Sequence, residues 1–267
     1  MNQDPVVSVV IPTYNSAATI IQAIESVINQ TLKGCEIIVV DDGSTDSTRM
    51  VLDSYIKTGM ITYLFQENAG CGAARNHGIA QARGTYVAFL DSDDYFHVEK
   101  LERQVKMFRE RPETVVCYTD AYEIDPFNGM ITEVRQTTAG TLRSGHVLPA
   151  LALRNFITLS SAMVRTLTMK EYPFDASREL MMFADYDLWL RLAAVGEFHA
   201  ISIPLTFYRT RLPITRIQKR DNHRKVAAVF AHCFATGTMK TRGWYAAGYV
   251  ISITKYVFHA TLQVVGL

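Results

Sequence analysis

The sequence predicts an α/β fold with a Rossmann-like, mostly parallel central sheet flanked by helices. Between residues 6 and 116, short apolar runs alternate with longer amphipathic stretches, as in successive βα units. The run Thr85–Leu90 is β-branched and aromatic, which is typical of a strand buried on both faces. Polar residues that favour helix N-termini follow the strands. Parallel strands joined by right-handed crossovers are the usual architecture for such a pattern.

Four strands and four helices are predicted in this first part of the chain. The predicted strands are Val6–Ile11, Glu36–Val40, Ile61–Phe65 and Thr85–Leu90. The predicted helices are Ala17–Gln30, Ser44–Lys57, Gly72–Ala82 and Val98–Arg109.

After Pro112 the pattern changes. Strand-like runs at Thr114–Tyr118 and Met130–Arg135 flank a turn at Asp125–Gly129, so we expect mixed or antiparallel additions to the sheet here. An apolar run, Phe156–Val164, and an amphipathic helix from about Ala184 to Val195 follow.

Composition excludes several classes of protein. With 267 residues and 48% hydrophobic content, the chain can bury a full core. Its net charge of +1 gives no basic field, so we expect no nucleic-acid partner. The four cysteines lack CxxC or metal-finger spacing, which favours reduced thiols. The N-terminus lacks a basic region before its first apolar run, so we expect no signal peptide and a cytoplasmic location.

The last segment, residues 243–267, is aromatic and nearly uncharged, with Lys255 as its one charged side chain apart from His259. Ordinary packing, contact with a membrane surface through residues 240–267, and a membrane span are three open interpretations. The uncharged runs on either side of Lys255 are too short to span alone, whereas a tilted aromatic helix suits an interface.

Three carboxylates, Asp91, Asp93 and Asp94, follow the buried strand Thr85–Leu90. Ligands bind beyond the carboxyl ends of parallel strands, where crowded acids would repel one another unless a cation compensates them. Hard oxygen ligands at this spacing suit Mg²⁺ or Mn²⁺, which in turn bind phosphate oxygens. An alternative is that Asp91 and Asp93 cap the next helix.

The first two strands end in polar residues at the same edge of the predicted sheet. Pro12-Thr13-Tyr14-Asn15 follows the first strand and Asp41-Asp42-Gly43-Ser44 the second. An aspartate there can accept a hydrogen bond from a base or a ribose hydroxyl, and Asp42 is the better candidate. The alternative is a turn followed by a helix N-cap.

A glycine-rich helix start supplies a third element of this edge. Gly70 lets the backbone approach a ligand, and Arg75 can meet a diphosphate. Arg75 can equally form a structural ion pair with the aspartate cluster.

Taken together and in this order, these motifs resemble the family 2 inverting glycosyltransferases, which have a GT-A fold. The matching motifs are Pro12-Thr13-Tyr14-Asn15, Val40-Asp41-Asp42-Gly43-Ser44-Thr45-Asp46, Asn68 to Gly78, and Gly84 to Asp94. A further match is Ala184-Asp185-Tyr186-Asp187-Leu188-Trp189-Leu190-Arg191, which looks like the helix-borne acidic motif of the family.

The resemblance implies roles for these residues. Asp91 and Asp93 would form the DxD metal site for Mn²⁺ or Mg²⁺, Asp42 would contact the nucleotide base, and Asp185 would be the catalytic base. Asp187, two residues further along a helix, would face away from Asp185. The residues expected to bind the nucleotide-sugar donor are Pro12, Thr13, Tyr14, Asn15, Asp42, Gly70, Arg75, Asp91, Ser92 and Asp93. Asp185 could instead be a helix N-cap or a first-turn acid.

The resemblance further implies an inverting, metal-dependent transfer of a sugar from a nucleotide-diphosphate sugar to a hydroxyl of a glycan or lipid-linked acceptor. UDP-sugars are the common donors in the family, and cell-surface polysaccharide synthesis is the implied process. Residues 1–215 would form the transferase domain, with a donor half (1–116) and an acceptor half (117–215), and 216–267 a C-terminal helical appendage. A sugar-phosphate nucleotidyltransferase would open with a glycine-rich basic loop, which Pro12-Thr13-Tyr14-Asn15 is not.

Two positions depart from the family pattern. Ala184 replaces the glutamate that usually precedes the base, and Arg211 stands where a histidine often serves the metal or diphosphate. A guanidinium can neutralise phosphate but cannot bind a cation. A non-catalytic protein that binds a nucleotide sugar and partners a true transferase is therefore the alternative interpretation.

Overall fold

The computed structural model describes residues 4–134, 142–177, 180–210 and 216–264, which form a mixed sheet flanked by helices. The strands are β1 (Val7–Thr13), β2 (Cys35–Asp41), β3 (Thr62–Phe65), β4 (Tyr86–Phe89), β5 (Tyr95–Phe96), β6 (Thr114–Ile124), β7 (Ile131–Val134), β8 (Ala162–Arg165) and β9 (Glu197–Arg209). The helices are α1 (Ile20–Ile28), α2 (Thr48–Val51), α3 (Asp53–Lys57), α4 (Cys71–Gln81), α5 (Lys100–Glu110), α6 (Leu148–Leu153), α7 (Thr166–Glu171), α8 (Ala184–Ala193), α9 (Arg216–Thr236) and α10 (Met239–Val264). Short 3-10 turns lie at Leu159–Ser161 and Met181–Phe183.

The sheet order is β3-β2-β1-β4-β8-β6-β9-β5, with β7 beside β6. Strands β3, β2, β1 and β4 are mutually parallel, β8 is antiparallel to both β4 and β6, and β9 is parallel to β6. The predicted α/β fold, with antiparallel additions after Pro112, is confirmed.

Strand β1 shows why the first strands contain apolar residues at successive positions. Val9 and Ile11 pack into the core on one face of the sheet, whereas Val10 packs into the core on the other. All three side chains are fully buried. A sheet covered by helices on both faces requires apolar residues at successive positions, not at alternate ones.

The helix predicted at Ser44–Lys57 is shorter than expected and divided, since α2 begins at Thr48 and a second helix begins at Asp53. The Asp46 carboxylate accepts hydrogen bonds from the backbone N–H and the hydroxyl of Thr48. These bonds hold residues 44–47 in a loop conformation. The polar residues after β2 therefore lie in a loop at the carboxyl edge of the sheet and not in a helix.

The C-terminal helices α9 and α10 pack against each other and against the α/β part. Gly248 of α10 meets the Phe230 ring so closely that an added Cβ atom would lie 2.3 Å from it. The Tyr245 hydroxyl donates a hydrogen bond to the Leu190 carbonyl in α8. One face of the tail is thus packed, as the first of the three interpretations expected. Among the helices of the described chain, none is both long and apolar enough to cross a bilayer.

Candidate active site

A cleft of about 820 Å³ lies at the carboxyl ends of β1, β2 and β4. The structure brings all of the predicted site residues to its walls. They are Pro12, Thr13, Tyr14, Asn15, Asp42, Gly70, Arg75, Asp91, Ser92, Asp93 and Asp185. Because the three strands are parallel, the loops that follow them emerge at the same edge of the sheet, which explains this convergence.

The Asn15 side chain joins the loop after β1 to the loop after β2. Its amide oxygen accepts hydrogen bonds from the backbone N–H groups of Thr45 and Asp46, at 2.8 and 3.2 Å. Its backbone has a φ of 50°, a left-handed conformation that asparagine tolerates better than most residues. Asn15 therefore organises the cleft wall, and its predicted contact with a ligand stays a prediction.

The two aspartates after β2 have different surroundings. Asp41 accepts hydrogen bonds from the Tyr63 hydroxyl and the Ser44 N–H, so it holds the loop. Asp42 lines the cleft and is only 4% exposed. Helix α2 has Ser47 at its N-cap position, so the alternative that these residues provide an N-cap is wrong.

Asp42 also fixes the next element of the cleft wall. One carboxylate oxygen accepts hydrogen bonds from the Gln66 amide and the Ala69 N–H, and the other accepts one from the Gly70 N–H, at 2.9 Å. Gly70 has a φ of 92°, and an added Cβ atom would lie 2.7 Å from the Met181 sulfur. The backbone conformation therefore favours glycine at this position, whereas the exposed Met181 side chain could move aside for a larger residue.

Arg75 forms the ion pair that the sequence left as an alternative. Its Nη2 atom lies 2.6 Å from Asp91 Oδ1, and its side chain is only 7% exposed. The guanidinium stands over the Phe174 ring at 5.4 Å from the ring centroid. Its Nε atom is buried without a hydrogen-bond partner in the described part of the chain. Arg75 thus keeps a donor available at the cleft.

The aspartate cluster after β4 is compact. Oxygen atoms of Asp91, Asp93 and Asp94 all lie within 4.8 Å of one another. Helix α5 begins at Lys100 with Glu99 at its N-cap position, so the alternative that Asp91 and Asp93 cap this helix is wrong.

Asp94 differs from the other two members of the cluster because it is 2% exposed and faces the protein interior. Its oxygens accept hydrogen bonds from the Ser160 hydroxyl and the Arg209 N–H, at 2.5 and 2.9 Å. Burial, followed by repulsion from Asp91 and Asp93, raises the pKa of Asp94 well above its ordinary value. Asp91 and Asp93 are therefore the cluster members that line the cleft.

Asp185 lies in the first turn of α8 and lines the same cleft, where the charges of Arg75 and Asp91 act on it. The Asn155 amide donates a hydrogen bond of 3.2 Å to one of its oxygens. Burial raises the pKa of Asp185, and the Tyr186 N–H, the positive charge of Arg75 and the Asn155 hydrogen bond oppose this rise. Phe183 occupies the N-cap position, so Asp185 is not the N-cap of α8 but an acid of its first turn, the other form that the alternative allowed.

Asp187 faces away from the cleft, as the helical spacing predicted. It is fully buried and accepts a hydrogen bond of 2.8 Å from Arg191 Nε. Ala184, which departs from the family pattern, is 1% exposed and lies in the core. Arg211, the second departure, lies outside the described residues.

Several residues that line the cleft escaped the sequence prediction, among them Asn155, Met181, Met182 and Tyr208. Asn155 follows the short helix α6, in a stretch without a motif. Tyr208 stands near the end of β9, where Arg209 Nε donates a hydrogen bond to the Asp93 carbonyl. The sequence run Tyr208-Arg209-Thr210-Arg211, which contains the departure at Arg211, is the signal that could have indicated this wall.

The model of glycosyl transferase family 2 matches residues 8–161, which include four of the five motifs in full and end before the fifth, the one that contains Asp185. The chain belongs to glycosyl transferase family 2. A protein of Rickettsia felis described as an uncharacterized glycosyltransferase is 35% identical over 206 residues, which cover 77% of this chain and 33% of that protein. Chondroitin synthase of Escherichia coli is 30% identical over 205 residues, which cover 74% of this chain and 28% of the synthase. This family 2 chain thus spans about a third of the length of these relatives.

Solved structures confirm the GT-A fold of this family member. TarS of S. aureus, residues 1–349, has a TM-score of 0.69 at 20% identity, covering 92% of this chain and 71% of that one. The mannosyltransferase PcManGT of Pyrobaculum calidifontis, in complex with GDP-Man and Mn²⁺, has a TM-score of 0.68 at 16% identity, covering 98% of this chain and 76% of that one. At such identities the likeness concerns the fold.

Proposed function

We propose that this family 2 protein transfers a sugar, with inversion, from a UDP-sugar to a hydroxyl of a glycan or lipid-linked acceptor, in a metal-dependent reaction of cell-surface polysaccharide synthesis. The observation that carries the proposal is the placement of Asp42, the Asp91/Asp93 pair and Asp185 around one cleft. A relative described as a putative teichuronic acid biosynthesis glycosyltransferase, TuaG of Bacillus subtilis, is 44% identical over 113 residues, 41% of this chain and 44% of TuaG.

Unsatisfied polar atoms support the binding of a donor in this cleft. Thr13 Oγ1 and Arg75 Nε are buried without hydrogen-bond partners among the described residues, and both side chains line the cleft. Such an atom costs about 1–3 kcal/mol when it is left unpaired. The ribose and diphosphate of a nucleotide sugar offer the oxygens that would satisfy them. A TarS structure in complex with UDP-GlcNAc, with a TM-score of 0.65, has the same fold.

The Asp91 and Asp93 carboxylates fit a divalent cation. They supply hard oxygen ligands within 4.8 Å of each other at the cleft wall, the donor set that Mg²⁺ and Mn²⁺ prefer. When bound, the cation would offset the negative charge of the departing diphosphate. Arg75 adds a fixed positive charge beside Asp91, so it would stabilise the same leaving group.

Asp185 would act as the base of the reaction. Inverting transfer needs a carboxylate that takes the proton of the acceptor hydroxyl while that oxygen attacks the anomeric carbon opposite the leaving diphosphate. The raised pKa makes the Asp185 carboxylate a better proton acceptor, provided that it is ionised. Asn155 would hold the carboxylate in position through its hydrogen bond.

The division into a donor half (1–116), an acceptor half (117–215) and a C-terminal helical appendage (216–267) is part of the proposal. Asp42, Arg75 and the metal pair belong to the donor half, whereas Asn155 and Asp185 belong to the acceptor half. The acceptor would therefore approach from the side of α6 and α8.

The proposed activity is tested by release of nucleoside diphosphate from a panel of UDP-, GDP- and TDP-sugars, with Mn²⁺, with Mg²⁺ and with EDTA. We expect release from one UDP-sugar with metal and none with EDTA. Equal release in EDTA would contradict the metal assignment, and release from a GDP- or TDP-sugar alone would contradict the uridine assignment.

One observation favours a second candidate, a non-catalytic binder of nucleotide sugars. Ala184 is buried where the family pattern has a glutamate, so this chain lacks a carboxylate beside Asp185. A binder would bind the donor with metal, yet release no diphosphate with any acceptor.

We also propose that the C-terminal helices contact the cytoplasmic face of an anionic membrane. Residues 211–267 carry nine Lys and Arg residues against one acid, Asp221. Trp244, Tyr249 and Val250 of α10 are between 42% and 61% exposed. Basic side chains together with exposed aromatic residues suit a lipid interface.

The membrane contact predicts an effect of two exposed residues. Replacing Trp244 and Val250 together by serine should weaken binding to phosphatidylglycerol vesicles several-fold, because their apolar surface would no longer enter the interface. Flotation with these vesicles, and with neutral phosphatidylcholine vesicles for comparison, measures the effect. The double variant Met60→Ser/Phe65→Ser, exposed in the α/β part, is the matched control. Equal binding of both double variants and the wild type would contradict the contact.

A further inference from the structure

A second cluster of side chains of types that can bind a metal ion lies at the opposite edge of the sheet from the cleft. Glu113 directly precedes β6, and Glu197 and His199 lie two residues apart on β9, so both project from the same face of that strand. Strand β9 is parallel to β6, with Thr114 paired to Glu197 and Cys117 paired to His199. The cluster therefore gathers at the starting ends of two neighbouring parallel strands.

The direction of β6 places this cluster at the opposite edge of the sheet from the cleft. Strands β4 and β6 are both antiparallel to β8, so they run in the same direction. The cleft lies beyond the end of β4, at Asp91, whereas Glu113 lies before the start of β6. The two groups of residues cannot share one ligand.

The distances within the cluster are unlike those of hydrogen bonds. His199 Nε2 lies 3.7 Å from a Glu113 carboxylate oxygen and 3.9 Å from a Glu197 oxygen. Hydrogen bonds from nitrogen to oxygen span about 2.7–3.2 Å. One ligand atom from each of the three residues lies within 4.8 Å of the others.

His199 Nε2 is also a buried polar atom without a hydrogen-bond partner among the described residues. The side chain as a whole is 13% exposed, and its unpartnered nitrogen faces the two carboxylates. The protein thus brings one imidazole nitrogen and two carboxylate oxygens to ion-pair distances, without a hydrogen bond between them.

We propose that Glu113, Glu197 and His199 bind a Zn²⁺ ion. Zinc bonds to histidine nitrogen and carboxylate oxygen are about 2.0–2.2 Å long, so neighbouring ligand atoms of a tetrahedral site lie roughly 3.4 Å apart. The distances of 3.7 and 3.9 Å approach this separation. Imidazole combined with carboxylate suits zinc, whereas the oxygen ligands of the cleft suit Mg²⁺ or Mn²⁺.

A tetrahedral zinc site has four ligands, and two further residues, His146 and Gly145, lie close to the cluster of three. His146 Nε2 lies 3.5 Å from the other oxygen of Glu197, and its side chain is 80% exposed. Gly145, its neighbour, forms backbone hydrogen bonds with Phe198, which lies between the two β9 ligands. A water molecule or the His146 imidazole would complete the four ligands. The ion would join the starts of β6 and β9, so it would stabilise the fold without taking part in sugar transfer.

The test uses the full chain with Asp93→Ala, freed of metal, so that the cleft does not contribute a site. Titration calorimetry with Zn²⁺ should show one site per chain, and Co²⁺ should give the visible absorption of a tetrahedral site. The melting temperature should rise with Zn²⁺ concentration, because the ion binds the folded chain. Absence of stoichiometric Zn²⁺ binding in this protein would overturn the proposal.

Ligand variants in the same background identify the site. His199→Ala and Glu113→Gln should each weaken Zn²⁺ binding by more than about 100-fold. The Glu113 side chain is half-exposed, so we expect Glu113→Gln to fold. This variant therefore tests the site even if His199→Ala fails to fold. Glu133→Gln, at an exposed position on β7, is the matched control and should bind as its parent does. Unchanged Zn²⁺ affinity in Glu113→Gln would assign the ion to another place and overturn the proposal.

Discussion

Replacement of Asp185 by asparagine should abolish sugar transfer while leaving donor binding unchanged. The amide keeps the shape of the side chain but cannot take the proton of the acceptor hydroxyl. General bases contribute about 10²–10⁴-fold to rates, so kcat should fall by at least about two orders of magnitude. Asp185 belongs to α8, whereas the proposed nucleotide contacts belong to other elements of the cleft, which is why the affinity for the nucleotide should persist.

Diphosphate release in the presence of acceptor and titration calorimetry with UDP measure the two effects separately. The matched control is Asp53→Asn, an exposed helical aspartate that pairs with Lys57 on the protein surface. Transfer at the wild-type rate by Asp185→Asn would refute its role as the base. A wild-type protein that binds UDP with metal but never turns over would support the non-catalytic alternative.

The pH dependence of the wild-type enzyme provides a second measure of the Asp185 assignment. Burial raises the pKa of this carboxyl, and the protonated form cannot act as a base. Activity should therefore be present above the raised pKa and be lost as the pH falls through it. Asn155→Ala removes a hydrogen bond that favours the ionised form, so the acidic limb should move to higher pH. An acidic limb that stays in place would show that Asn155 does not act on Asp185.

Replacement of Asp93 by alanine should abolish the metal-dependent part of donor binding. The carboxylates of Asp91 and Asp93 are the proposed ligands. Asp91 already forms an ion pair with Arg75, which offsets its negative charge. With Asp93 gone, one partly neutralised carboxylate remains at the cleft wall, which is too weak a site for a hydrated cation. The affinity for UDP in Mn²⁺ should fall to the value measured in EDTA.

Calorimetric titrations of UDP with Mn²⁺ and with EDTA measure this effect, using Asp125→Ala in the turn after β6 as the control. Normal Mn²⁺-dependent affinity in Asp93→Ala would overturn the metal assignment. Loss of UDP binding in EDTA as well would indicate a collapsed cleft, which the melting temperature of the variant would reveal.

The parallel part of the fold and most of the cleft followed from local patterns. Runs of successive apolar residues, such as 9–11 in β1, require helices on both faces of the sheet, and parallel strands send their following loops to a single edge. Asp42, Gly70 and Asp91 therefore had to converge once the βα pattern was recognised. The sharp turn at Gly70 and the acids after β4 were visible as motifs because their chemistry depends on neighbours in the chain.

The second half of the cleft depended on contacts between distant segments. Strand β9 was not predicted, because its exposure follows no regular alternation and register shifts interrupt its pairing with β6. Its placement brings Arg209 to Asp94, and the packing of α8 beside the loop after α6 brings Asn155 to Asp185.

Local patterns in the amino-acid chain thus determined the parallel sheet and the cleft wall formed after β1, β2 and β4, since backbone periodicity and strand direction are enough to place them, and the motifs in these loops carried the resemblance to the family. Only the tertiary structure decided that Arg75 pairs with Asp91, that Asp94 is buried, and that Glu113 lies beside Glu197 and His199. These pairings arise from strands and loops distant in sequence, and their energies depend on burial and distance, which no local pattern encodes.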